Sequence, residues 1–257
     1  MTVAPKKALG QHFLVDENIL GVIGRLAELQ PDDVILEVGP GLGILTRYLA
    51  ERTRLVHAIE IDRALAESLS TALVDHENVR LVFGDALRLD LSGLDPTPRK
   101  LVANLPYNIA TPLVVETLEH VRSIERWCVM VQREVADRFF AEPRTKAYGA
   151  VSVLVQLAAR KAGFHAVPPT VFRPRPRVDS ALVAFTRTAG PRLAEVRPIV
   201  EASFAHRRKM LANSVALAGL APRARVEDAL AAIGRSARSR AEELAPGEFV
   251  ALAEELA

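Results

Sequence analysis

A single cysteine, Cys128, stands among 257 residues, and that scarcity excludes an intramolecular disulfide framework and a zinc site built from several thiolates. A reducing cytosol is the expected home. No apolar run approaches the roughly 18 residues that a membrane helix requires. The first fourteen residues carry Lys6 and Lys7 but no apolar core of a secretory signal. The expectation is a soluble, unprocessed, cytoplasmic protein with no membrane partner, and nothing in the chain suggests more than a monomer. Internal repeats and low-complexity stretches are missing as well.

Net charge is nearly absent too, at +2, yet its distribution is uneven. Residues 1 to 131 hold 13 basic against 18 acidic side chains, residues 132 to 192 hold 11 against 4, and residues 193 to 257 hold 9 against 9. Positive charge therefore gathers mid-chain. Arg173, Arg175 and Arg177, interleaved with prolines, can present a stiff basic edge to phosphates, or form a solvated loop.

What is present in quantity is apolar material, 49% of the chain. At this length that suffices for one large α/β domain with a small appendage. Val34 to Val38, Leu55 to Glu60, Val79 to Phe83 and Lys100 to Ala103 read as parallel strands. Ile44 to Arg52 and Arg63 to Leu73 have helical spacing between them. Trp127 to Gln132 and Ala181 to Thr186 read as further strands, and Gly149 to Arg160 as a buried or amphipathic helix. Beyond Thr188 the pattern turns to helices only: Val196 to Ala205, Arg208 to Ala218, Val226 to Ile233 and Pro246 to Leu256. The expected fold is α/β, a Rossmann-like seven-stranded sheet over residues 1 to 189 with a small all-helical domain over residues 190 to 257.

The chemistry-bearing residues fall at the C-terminal ends of the expected strands, the edge where open α/β sheets bind ligands. Glu37-Val38-Gly39-Pro40-Gly41-Leu42-Gly43 is a tight turn that lets backbone approach a ligand closely. It lacks the third glycine of G-x-G-x-x-G, where Ile44 stands, so a dinucleotide site is disfavoured. Glu60, about 20 residues on, suits ribose hydroxyls. Asp85, at the third strand end, can accept from an adenine amino group. A structural alternative stands beside each residue: a plain strand-to-helix turn, a solvated strand end, a helix cap. Their coincidence at successive strand ends favours an adenosyl-ligand site. Asn104-Leu105-Pro106-Tyr107 then adds a holder for a planar amine. An Asn carbonyl, a strand-end backbone carbonyl and a stacking Tyr can orient a conjugated exocyclic nitrogen, which is by itself a poor nucleophile.

Assembled, these segments closely resemble the ribosomal RNA adenine N6-dimethyltransferase family. The matching stretches are Leu9 to Leu14, Glu37 to Gly43, Gly84-Asp85-Ala86, Asn104 to Tyr107, Lys146 to Gly149, and Val171-Phe172-Arg173-Pro174-Arg175-Pro176-Arg177-Val178-Asp179-Ser180, in order along nearly the whole chain. The resemblance implies S-adenosyl-L-methionine as cofactor. Gln11, His12, Phe13 and Leu14 would close over it, Gly39 and Gly41 hold its methionine part, Glu60 and Ile61 its ribose side, and Asp85 and Ala86 its adenine. Asn104, Leu105, Pro106 and Tyr107 would form the catalytic segment, Asn104 touching cofactor and target amine alike. Tyr107 and Phe172 would stack the flipped base. Transfer would be direct, with no metal and no general base.

Within the family, Phe204 to Ser214 resembles the small-subunit branch. That branch dimethylates two adjacent adenosines in a hairpin near the 3′ end of small-subunit ribosomal RNA, and the implied partner is that RNA within a precursor 30S particle. Arg207, Arg208 and Lys209 would contact phosphates there, as would Arg173 and Arg175. Two departures stand out. His12 replaces the usual Asn, and Ala212 replaces a frequent basic residue, which would remove one phosphate contact. The rivals are a large-subunit resistance methyltransferase and a non-catalytic ribosome-assembly factor. DNA adenine methylation is disfavoured, since those enzymes usually carry an acidic residue at the position of Asn104.

Overall fold

Apolar runs flanked by glycine, proline or charge become the strands of one mixed sheet. The structure, a computed structural model, describes residues 11–257. Lys6, Lys7, Leu9 and Gly10 lie outside the described residues. In chain order the elements of the sheet unit are β1 (Phe13–Leu14), α1 (Asn18–Ala27), β2 (Val34–Val38), α2 (Ile44–Ala50), β3 (Leu55–Glu60), α3 (Ala66–Ala72), β4 (Val79–Phe83), β5 (Lys100–Asn104), α4 (Ala110–His120) and β6 (Arg126–Gln132). They are followed by α5 (Arg133–Phe139), α6 (Ala150–Ala158), β7 (Ala159–Val167), β8 (Phe172–Arg173) and β9 (Ser180–Arg187). Four helices close the chain: α7 (Leu193–Phe204), α8 (Leu211–Leu217), α9 (Arg223–Ala232) and α10 (Pro246–Leu256).

The seven-stranded sheet has the order β4-β3-β2-β5-β6-β9-β7. Strands β2 to β6 pair in parallel, and β9 runs antiparallel to β6. All five residues of β2 are buried, as a central strand covered on both faces requires. On one face α1 lays Ile19, Leu20, Ile23 and Ala27 into a core shared with Leu45 and Leu49 of α2 and with Val56, Val102 and Met130 of the sheet. Each such aliphatic side chain contributes roughly 1.5–3 kcal/mol on burial. Arg187, at the end of β9, caps the tail of α4 by donating to the carbonyls of Leu118, Val121 and Ile124 at 2.8, 2.9 and 2.7 Å. A second small sheet joins β1 to β8 antiparallel, Phe13 opposite Arg173 and Leu14 opposite Phe172.

The expected strands β2, β3 and β4 have the bounds read from the sequence, and the seven-stranded α/β sheet with a helical C-terminal region is as expected. Two details differ. Arg63 to Leu73 is not one helix: Asp62 accepts from the Ala64 N–H, winds Arg63–Leu65 into a 3-10 turn, and α3 follows. The seventh strand is β7, which begins where the sequence suggested the tail of α6.

By contacts the chain forms two compact units. The first runs to Ala136 and takes in Lys161–Arg187; the second comprises Asp137–Arg160 and Thr188–Ala257. A single cut at residue 189 therefore leaves Asp137–Arg160 on the other side, because α6 packs on α7 and α10. Within this second unit α7 also packs on α8, and α9 on α8 and α10. Fully buried Tyr148 donates its hydroxyl to the Leu244 carbonyl at 2.8 Å and meets Phe204 edge-on, and Phe204 in turn leans on Phe249.

Candidate active site

Strand order reverses between β2 and β5, and the crevice beyond their C-terminal ends is where a doubly wound sheet receives ligands. The turn leaving β2 has φ of +78° at Gly39, +60° at Gly41 and +78° at Gly43. A side chain is excluded twice over at the first two. A Cβ on Gly39 would stand 3.1 Å from Pro106 Cδ, and one on Gly41 would stand 3.0 Å from Phe13 Cδ1, in backbone conformations that L side chains rarely adopt. The Gly39 N–H holds the turn to β3 by donating to the Ile59 carbonyl at 2.9 Å.

Two adjoining chambers open there. The larger, about 660 Å³, is lined by Gln11 to Leu14, Glu37, the glycine turn, Glu60, Ile61 and Asn104 to Tyr107. The smaller, about 420 Å³, shares Gly39, Glu60, Ile61 and Pro106 and adds Asp85, Ala86, Asn108 and Ile109 among others. Glu60 sits on the wall between them. Its carboxylate accepts the Gly41 N–H at 3.2 Å and the Asp62 N–H at 2.9 Å, which aims it along the crevice. Burial raises its pKa, against the pull of those two N–H donors. Asp62 accepts in turn from Gln11 Nε2 at 3.1 Å, tying the N-terminal segment to the end of β3. Asp85 accepts the Leu87 N–H at 3.0 Å, and Ile61 overhangs the chambers half exposed.

At the end of β5, Asn104 Nδ2 donates to the His12 carbonyl at 3.1 Å. A carbonyl only accepts, so the amide is oriented and Oδ1 is left as an acceptor. Leu105 is buried and its N–H donates to Met130 at 3.1 Å. The Pro106 carbonyl accepts from Ile109 and Ala110, both at 3.1 Å, which turns the chain into α4 and sets Tyr107 at the chamber mouth. The Tyr107 hydroxyl shares a 2.7 Å hydrogen bond with Ser180 Oγ, and burial pushes its pKa up. Its ring lies 5.3 Å from that of His12, tilted by 32°. His12 Nδ1 must be protonated, because it meets the Pro174 carbonyl at 2.7 Å. The β1–β8 pairing and these two His12 contacts clip the N-terminal segment over the crevice.

Glu37, at the chamber floor, is 1% exposed, and its Oε2 has no partner among the described residues. Burial pushes its pKa to about 8, against the pull of the nearby Thr46 hydroxyl and with the charge of Glu60 adding a smaller push up.

All the residues read as cofactor-binding line one chamber or the other, and Asn104 to Tyr107 join them. Phe172, read as a second ring for the flipped base, lines neither chamber in this structure. It is 2% exposed, packed with Leu14, Leu20 and Val171 in the core, because its neighbour in β1 draws it inward. Arg173 and Arg175 are exposed. Arg207, Arg208 and Lys209 are exposed on the loop between α7 and α8, Arg207 standing 3.4 Å from Glu242. Ala212 is fully buried in α8. Sequence reasoning left Ser180, Asp62 and the burial of Glu37 unassigned. The signals were slight: a serine closing the arginine-proline run, an acid two residues beyond Glu60.

A family model described as ribosomal RNA adenine dimethylase matches residues 4–257. The chain is 49% identical over 231 residues to the ribosomal RNA small subunit methyltransferase A of Rubrobacter xylanophilus, covering 85% of this chain and 87% of the relative. It is 45% identical to the protein of that name from Kineococcus radiotolerans, over 86% and 75% of the two chains. Among solved structures, the 23S rRNA methyltransferase ErmE superposes with a TM-score of 0.66 at 34% identity, over 95% and 99% of the chains. A dimethyladenosine transferase from Plasmodium falciparum superposes with a TM-score of 0.78 at 23% identity, over 94% and 96%, a likeness of fold.

Proposed function

The chain belongs to the ribosomal RNA adenine dimethylase family, and we propose that its substrate is small-subunit ribosomal RNA, where it dimethylates N6 of two adjacent adenosines in a hairpin near the 3′ end. We infer further that it acts as a monomer in the cytoplasm on a precursor 30S particle. It is an S-adenosylmethionine-dependent rRNA adenine N6,N6-dimethyltransferase. Support for the small-subunit assignment comes from the 49% and 45% identities to enzymes named for that subunit, against 34% to an enzyme named for 23S rRNA.

The residues present suit this cofactor. A cradle that any Cβ at Gly39 or Gly41 would fill leaves room for its methionine end, and an orphaned buried carboxyl oxygen on Glu37 faces a ligand that carries N–H donors. Glu60 would take the ribose hydroxyls, Asp85 the adenine amine, with Ile61 and Ala86 against the ring. When bound, the cofactor supplies an electrophilic methyl group on a sulfonium. The protein's part is orientation. Asn104 Oδ1, freed by the bond from Nδ2 to His12, accepts from the adenine N6 amine and turns its lone pair toward the methyl. Tyr107, held by Ser180, offers a ring for the extruded base. The proton shed by the methylated amine would pass to water. The oriented Asn104 amide beside Tyr107 is the observation that carries this reading.

The test is direct. Purified protein and radiolabelled S-adenosylmethionine are incubated separately with undermethylated small and large subunits, and labelled adenosines are mapped by nuclease digestion and mass spectrometry. Paired dimethyladenosines near the small-subunit 3′ end are expected. Label confined to the large subunit would move the chain to the resistance branch, and subunit binding without label would make it an assembly factor.

A further inference from the structure

A ring that stacks a base has to be fixed both in place and in plane, and Tyr107 receives these two restraints from different parts of the chain. Its place is set at both ends. The turn at Pro106 into α4 holds the backbone, and the hydroxyl meets Ser180 Oγ at 2.7 Å. Ser180 is fully buried at the first position of β9, which makes that anchor firm. Neither hold sets the plane. The hydroxyl lies on the Cβ–Cγ axis about which the ring turns, and the torsion about that axis is intrinsically broad. A hydrogen bond on the axis leaves the rotation free, so the plane is set only by a contact against the ring face.

His12 supplies that contact. Its ring centroid lies 5.3 Å from that of Tyr107 with the planes 32° apart, close enough and near enough to parallel for the two rings to overlap in an offset stack. Other rings nearby are turned elsewhere. Phe13 points at the Gly41 turn and packs with Leu65, Leu69 and Leu73, and Phe172 lies in the core with Leu14 and Leu20. The His12 ring is itself held at two points. Its main-chain carbonyl accepts from Asn104 Nδ2 at 3.1 Å, and its Nδ1 donates to the Pro174 carbonyl at 2.7 Å. A ring fixed in this way resists the turning of its neighbour. We propose that His12 is a positioning residue for methyl transfer: its imidazole sets the plane of Tyr107 and leaves one face of that ring for the extruded adenine. Ser180 then fixes where the stacking ring stands, and His12 fixes which way it faces. This rests on the reading of Tyr107 as the stacking ring in the function proposed above.

Nuclear magnetic resonance of the full chain with ring-labelled tyrosine reads the plane directly, since the chain has 3 tyrosines and Tyr107→Phe assigns the signal in question. Two substitutions separate the ring of His12 from its hydrogen bond. His12→Asn keeps an amide N–H near the place of Nδ1 and removes the ring, whereas His12→Phe keeps a ring and removes the donor. The Tyr107 ring should flip about three- to tenfold faster in His12→Asn, the size of one aromatic pair, and stay within about twofold of the unaltered chain in His12→Phe. Single-turnover transfer to undermethylated small subunits at saturating S-adenosylmethionine should follow the same order. It should slow by about three- to tenfold in His12→Asn, recover in His12→Phe, and lose nothing more when His12→Asn is added to Tyr107→Ala. Should His12→Asn not fold, His12→Ala serves as a second ringless variant. An unchanged flip rate in the ringless variant, or an undiminished loss in the Tyr107→Ala background, would overturn the proposal while leaving the function intact. No transfer to small subunits by the unaltered chain would instead overturn the function proposed above, and this role with it.

Discussion

In the helical unit the buried hydroxyls are spent on backbone carbonyls: Ser152 on Arg138, Ser203 on Ile199, Ser214 on Ala202 and Tyr148 on Leu244, at 2.6, 2.6, 2.7 and 2.8 Å. In the sheet unit, Glu37 Oε2 and Thr46 Oγ1 are the buried side-chain oxygens without a partner among the described residues, and Glu37 lines the crevice. Satisfied polar groups hold a fold together, and unsatisfied ones mark where a ligand completes it. The contrast is local to the crevice, because elsewhere in the sheet unit Thr53 and Thr117 also donate to backbone carbonyls, at 2.8 and 3.1 Å.

That contrast can be broken at several points, and the largest effect should come from Asn104. Asn104→Ala removes the acceptor aimed at the amine, so turnover should fall by roughly 10²–10³. Single-turnover rates with saturating cofactor check it, and a loss below tenfold would refute the role. Tyr107→Ala should slow turnover by about 10- to 100-fold, as loss of one base stack implies, with a much smaller change in cofactor affinity. Equal losses in both would count against stacking. The exposed arginines predict salt sensitivity. RNA affinity should fall steeply between low and physiological salt, and each of Arg173→Ala and Arg175→Ala should lower the log–log slope by about one unit. Cofactor affinity should barely move across the same range.

Smaller effects sharpen the comparison. Tyr148→Phe leaves the Leu244 carbonyl short of a donor and should cost about 1 kcal/mol of stability in denaturant titrations, with cofactor affinity unchanged. Glu37→Gln should behave in the opposite sense. Burial pushes the acid's pKa up to about 8 in the folded chain, from 4.5 for an ordinary glutamate. The folded state therefore holds a proton that the unfolded state has lost, and stability from this group is full below pH 4.5 and drains away as pH rises through 8. An amide does not titrate, so without cofactor the melting temperature of Glu37→Gln relative to the unaltered chain should climb from pH 5 to pH 8. A constant difference across that range would deny the buried acid.

The sheet was legible where its strands are buried on both faces, since β2 and β3 are mostly apolar runs, broken only by Glu37 and His57, that lead into glycine or end in glutamate. β7 was not. It carries Arg160, Lys161 and His165 exposed along an edge, so its pattern is polar and its assignment depends on β9 beside it. The site shows the same divide. Glu60, Asp85 and Asn104 could be found because strand ends converge in any open α/β sheet. The burial of Phe172 was not legible, because the β1 strand it pairs with lies far away in the chain. Ser180 and Glu37 stand out through a partner hydroxyl and through an oxygen, Oε2, with no partner among the described residues, both properties of tertiary structure.

The central claim, that the oriented Asn104 amide directs methyl transfer to adenine N6 of small-subunit RNA, is tested most directly by nucleoside mass spectrometry. Small-subunit RNA would be taken from cells deleted for the gene and complemented with the unaltered chain or with Asn104→Ala. The account expects N6,N6-dimethyladenosine to return with the former and to stay absent with the latter. Equal dimethyladenosine in both, or none in either with the protein expressed and folded, would contradict it.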